Sequence, residues 1–130
     1  MKKKDQNNIL KETDHITISE IDGVLLIVIK ASNVNLDVAV KCVEDRLDFT
    51  EEENRLIISD IRNVISASKE AREYFASPEG LKGIKATAIL TESTISKVIA
   101  NFLITVNKPD VPVKVFTHRK IALAWLGLYK

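Results

Sequence analysis

Cysteine is nearly absent. Cys42 stands alone among 130 residues, so no internal disulfide can form and a thiolate zinc site lacks ligands. The two histidines, His15 and His118, lie far apart in the sequence, and neither a metal nor a cofactor is expected. Aromatic residues make up 5% of the chain, too few for the stacking platforms that hold single-stranded nucleic acid. A charge excess is missing too, since 19 Lys and Arg face 18 Asp and Glu. Nucleic-acid binding, which needs a basic face to neutralise phosphates, is therefore set aside. The four glycines form no phosphate loop, and there is no Gly-x-Ser-x-Gly or His-x-x-x-His motif. No nucleophile, base and orienter come together, so the chain is expected not to be an enzyme. The longest apolar run, Val24–Ile29, is far too short to span a bilayer. Met1 to Lys4 is basic, but Asp5 to Asn8 follows in place of an apolar stretch. That is no signal peptide, and a cytoplasmic location without an integral membrane segment is expected.

What is present describes one domain. Hydrophobic residues reach 45%, enough for a core and too many for disorder. Residues 1–14 are polar and read as a flexible tail with a short helix around Ile9 and Leu10, leaving 15–130 as a single α/β domain. Residues 15–20 alternate apolar and polar, the pattern of a half-buried strand. Asp22-Gly23 signals a hairpin turn, and residues 24–29 are apolar on both faces, as in an inner strand. Asn35 caps a helix whose stripe is Leu36, Ala39, Val40, Val43 and Leu47, flanked by Cys42 as a small buried residue. Strands at 55–61, 84–90 and 113–116 then alternate with helices at 68–76, 94–106 and 119–128. Alternation of this kind predicts a mostly parallel sheet with right-handed crossovers and an N-terminal antiparallel hairpin strand. The helices are expected mainly on one face. Lys85, Thr87, Lys114 and Phe116 are assigned to a thinly covered opposite face, a candidate contact surface.

Several segments carry a resemblance. They are Asp60-Ile61-Arg62-Asn63, Ser68-Lys69-Glu70-Ala71-Arg72, Gly83-Ile84-Lys85-Ala86, Ser96-Lys97-Val98-Ile99-Ala100-Asn101-Phe102, Asn107-Lys108-Pro109, the stretch from Val111 to Thr117, and Ala124-Trp125-Leu126. From about Ile16 to the end, the chain resembles the STAS-like, anti-sigma-factor-antagonist-like (SpoIIAA-like) domains in their small stand-alone bacterial form, also described as STAS/CRAL-TRIO-like. The resemblance implies the fold and supplies no activity. In the wider fold, antagonists are switched by phosphorylation of a serine at the helix start after the third strand. Here that helix start offers Ser66 and Ser68, without the Ser-Ser-Gly context. Other relatives hold lipids in a larger pocket.

Four groups of residues are candidate sites. Ser66 and Ser68 could carry a phosphate at a helix N-terminus beside Lys69 and Arg72. The preferred reading makes Ser68 a cap and Ser66 a loop residue. Asp60, Arg62 and Asn63 end a strand where ligands approach such sheets, although a loop-fixing ion pair is the commoner role of Asp beside Arg. His118 and Arg119 open the last helix and, with Arg62, could form an anion site. The third long helix is assigned a core stripe of Ile95, Val98, Ile99, Phe102 and Val106. That leaves Ala100 and Ile104 as an extra apolar strip for a partner or a second copy. Trp125 with Ala122, Leu126 and Tyr129 reads as core. Glu51 to Glu53 reads as a solvated loop. The leading expectation is a regulatory or protein-interaction module with a protein partner, a homodimer or both. The alternative is a binding module for a small anionic or lipid-like ligand at strand ends and helix N-termini.

Overall fold

A computed structural model describes residues 9–51 and 53–130. Its main sheet has six strands: β1 (Ile9–Glu12), β2 (Ile16–Ile21), β3 (Val24–Ile29), β5 (Arg55–Asp60), β7 (Ile84–Leu90) and β8 (Val113–Phe116), adjacent in that order. The first three are antiparallel neighbours, and β3, β5, β7 and β8 run parallel. Two short strands, β4 (Asn33–Val34) and β6 (Ser66–Ala67), pair separately. The helices are α1 (Leu36–Thr50), α2 (Lys69–Ala76), α3 (Pro78–Leu81), α4 (Thr94–Phe102) and α5 (Arg119–Leu126). A π-helical turn, Leu103–Asn107, extends α4.

Local chemistry explains the boundaries. Asp22 and Gly23 both take positive φ, 53° and 82°, as a two-residue type I′ hairpin turn requires. Asn35, Ser68 and Ser93 each accept a backbone N–H two or three residues into the next helix and satisfy an otherwise orphaned donor. Glu51, in the left-handed region, ends α1.

Part of the assigned tail belongs to the sheet. Residues 1–8 lie outside the described residues, and Ile9–Glu12 is an edge strand rather than a helix or a loose segment. It satisfies the free edge of β2. Thr13 Oγ1 donates to Asp45 Oδ2 at 2.5 Å, and Lys30 Nζ to Glu12 Oε2 at 2.9 Å, fastening this end of the chain to α1 and β3.

Two cores lie on opposite faces of the sheet. Ile16, Ile18, Leu25, Ile27 and Ile57 pack under α1, α2 and α4 through Ala39, Cys42, Ala71 and Ile99. Val24, Leu26, Leu56, Ile58, Ala86, Ala88 and Leu90 pack under α5 through Ala122, Leu126 and Trp125. Each fully buried Ile or Leu contributes about 1.5–3 kcal/mol relative to exposure. Most helices thus share one face, but the opposite face is closed by α5 and is no open contact surface. The register shows where the expectation failed. Thr87 pairs with Val113 and Ala88 with Lys114, so Thr87 and Lys114 sit on opposite faces and mark no common polar surface.

Candidate functional site

The carboxyl ends of the parallel strands gather the predicted polar residues and give most of them structural partners. Asp60 is buried and Arg62 is 38% exposed at its side chain. Arg62 donates from Nη2 to Asp60 Oδ2 at 2.7 Å and from Nε to Asp60 Oδ1 at 3.0 Å, and its backbone N–H also reaches Oδ1 at 3.0 Å. Its Nη1 reaches Glu92 Oε2 at 3.3 Å. The hydrogen bond that Arg62 donates to Asp60, opposed by partial burial and helped by Glu92, raises the Arg62 pKa. Held between two carboxylates, Arg62 fixes a loop. Asn63 is exposed beside it.

Ser66 Oγ donates to Asn33 Oδ1 at 2.6 Å across the small sheet, and Ser68 caps α2. His118 is exposed at the N-cap of α5 and makes no capping bond through its side chain; Arg119 follows, half-buried. Leu90 lies in register between Asp60 and Phe116. Arg62 and His118 therefore share a sheet edge but stand two strand spacings apart, roughly 10 Å at the backbone. Arg62 itself is already engaged by Asp60 and Glu92.

Helix α4 turns most of its predicted core stripe to solvent, and only Ile99 of that stripe packs on the core. Ser96 and Ala100 are fully buried, and Ile99 and Leu103 are half-buried. Ile95, Val98, Phe102 and Val106 are 55, 60, 42 and 56% exposed. Ala100 is thus no surface residue, and Ile104 is half-buried rather than the centre of an outward strip. The reason is size. Ser96 and Ala100, four residues apart, form a small-residue face that lets the helix approach its neighbours. The Ser96 hydroxyl is satisfied by Thr91 and Ser93. The bulkier stripe turns to solvent, and Arg72 lies over the Phe102 ring, 4.6 Å from its centroid.

Beneath α4 is a cavity of about 120 Å³. Its walls are mainly aliphatic, with Ile16, Ile27, Ile57 and Ile89 from the sheet and Ile99 and Leu103 from above. Ser59 and Thr87, hydrogen-bonded to each other at 2.9 Å, also line it. So do two guanidinium groups. Arg46 donates from Nη1 to Lys82 O at 2.7 Å and from Nη2 to Gly80 O at 2.9 Å. Burial pushes its pKa down to about 10. Arg72 donates from Nη1 to Ala67 O at 2.6 Å, while its Nε is buried without a partner. Sequence reasoning left out Arg46 and Ser59 and gave Thr87 and Arg72 other roles. The available signals were Arg46 seven residues after Ala39 on the buried stripe, and Ser59 and Thr87 inside otherwise apolar strands.

Among the described residues, no three His, Cys, Asp or Glu side chains cluster as metal ligands. No helix among them is long and apolar enough to cross a membrane.

This arrangement of a mixed sheet with helices on both faces is a SpoIIAA-like α/β domain. It is similar to an uncharacterized protein of the DUF3478 family with a SpoIIAA-like fold from Shewanella loihica PV-4, at 16% identity and a TM-score of 0.59, covering 90% of this chain and 98% of that one. The chain itself belongs to the family described as a domain of unknown function, DUF7793, whose model matches residues 16–130. A protein of unknown function from Arthrobacter sp. FB24 is 24% identical over 85% of this chain and 98% of that one, with a TM-score of 0.33. No curated protein matches the sequence. The likeness to the Shewanella protein establishes the fold and leaves activity to the residues themselves.

Proposed function

We propose that the chain is a non-enzymatic interaction module that works in the cytoplasm and receives an apolar segment of another protein on the outer face of α4. One observation carries this reading: Ile95, Val98, Phe102 and Val106 form a single exposed stripe along α4 and its π-helical extension. Isolated exposed apolar residues need no explanation, whereas a contiguous row does. Charge favours a different protein over a second copy. Residues 93–109 contain Lys97 and Lys108 and no Asp or Glu. Two copies packed antiparallel along this stripe would set lysine against lysine, while an apolar segment with acidic flanks would complement it.

The test compares unaltered protein with Val98→Glu and with Leu128→Glu, a control at a residue 77% exposed on another element. Each is used as bait in extract from its own cells, with folding checked by circular dichroism. A partner retained by the control and lost from Val98→Glu supports the reading. An identical set of partners on all three baits refutes it.

A further inference from the structure

We propose that the cavity beneath α4 is a binding site for a short-chain monocarboxylate, with its hydrocarbon part among the isoleucines and its carboxylate on Arg72. Three features point there. The first is size. A cavity of about 150 Å³ accommodates benzene, so the ~120 Å³ here suits a chain of roughly four or five carbons. The second is the wall. Ile16, Ile27, Ile57, Ile89, Ile99 and Leu103 supply hydrocarbon contacts, and no Asp or Glu lines the space. The third is charge left uncompensated. Among the described residues, neither Arg46 nor Arg72 has a carboxylate partner, and both line the cavity.

Buried cations are ordinarily paired, because leaving water costs more than backbone carbonyls return. Arg46 spends two donors on carbonyl oxygens. Arg72 keeps Nε–H buried and unsatisfied, the kind of donor that a ligand oxygen completes with a short, charge-assisted bond. A carboxylate there would supply the acceptor that Arg72 Nε–H lacks and offset one of the two positive charges. An uncharged molecule of the same shape would fill the apolar space and leave Nε–H as it is. Arg72 also lies over Phe102 of the outer stripe, so the two sites adjoin, but the hydrocarbon walls lie on the inner side of α4 and do not include Val98.

The probe is isovalerate, with isoamyl alcohol as its uncharged counterpart, followed by backbone and arginine Nε–H resonances in two-dimensional NMR. The expected result is saturable binding of isovalerate. It shifts the Arg72 Nε–H signal and the amides around Ile57, Ile89 and Ile99, with at least tenfold weaker binding of the alcohol. Arg72→Gln should lose at least tenfold in isovalerate affinity, while Arg62→Gln, outside the cavity, should keep it. If Arg72→Gln fails to fold, the Arg72 signal of unaltered protein decides alone. Absence of saturable shifts with isovalerate overturns the proposal, as does equal binding of the alcohol or an unmoved Arg72 signal.

Discussion

Replacing Arg62 with alanine should destabilise the domain more than replacing Asp60, although the two residues share one ion pair. The Asp60 side chain is 3% exposed and that of Arg62 is 38% exposed. In Arg62→Ala the carboxylate stays buried with only the backbone N–H of residue 62 as a donor. Stranding a buried charge costs about 3–5 kcal/mol when burial is complete on both sides. The exposed guanidinium lowers that toward about 2–3 kcal/mol. In Asp60→Ala the guanidinium keeps Glu92 and reaches water, so the loss is about 1–2 kcal/mol. Once Asp60 is gone, removing Arg62 adds little. The double variant should therefore be no less stable than Arg62→Ala. Urea unfolding of the four proteins provides the double-mutant cycle. A cost below about 0.5 kcal/mol for Arg62→Ala would refute the argument, as would a larger cost for Asp60→Ala than for Arg62→Ala.

Three other predictions follow from particular contacts. Val98→Lys should change stability by less than about 0.5 kcal/mol, whereas Ser96→Ile should cost more than about 2 kcal/mol by overpacking a fully buried site; thermal unfolding separates the two, and the opposite ranking would put α4 in the wrong orientation. Gly80→Ala should cost about 2–3 kcal/mol, because a Cβ there would sit 2.0 Å from Tyr74 O, and denaturant midpoints read it directly. Burial, reinforced by Asp45, pushes the Cys42 thiol from 9.0 up to about 12. The unfolded chain therefore loses this proton first, so stability falls as pH rises between 9 and 12, by roughly 1 kcal/mol near pH 10. Cys42→Ala removes that slope, which urea titrations at several pH values would reveal.

The strands and long helices were legible because their signals are local. Val24–Ile29 is apolar on both faces and becomes a central strand, and Asn35, Ser68 and Ser93 announce their helices by capping chemistry. Helix α4 was not legible in the same way. It carries two apolar stripes, and bulk pointed to Ile95, Val98, Phe102 and Val106 for the core, whereas close approach selects Ser96 and Ala100. Helix α5 follows the last strand and leads to no further strand, so the handedness of crossovers does not assign its side of the sheet, and periodicity does not encode it. The edge strand Ile9–Glu12 arises from pairing with β2, and its own composition is that of a polar tail. Asp60 and Arg62, two residues apart at a strand end, form the ion pair that their spacing suggests. The cavity comes from the mutual placement of sheet and helices, so only its unusual members, Arg46, Ser59 and Thr87, left a trace in the sequence.

The central claim, that another protein docks on the outer face of α4, is tested most directly by site-specific photocrosslinking inside the protein's own cells. A photoreactive side chain at position 98 should give one discrete adduct with a second protein, and the same group at position 128 should give none. No adduct from position 98, an adduct only with a second copy of this chain, or the same adduct from both positions would contradict the account.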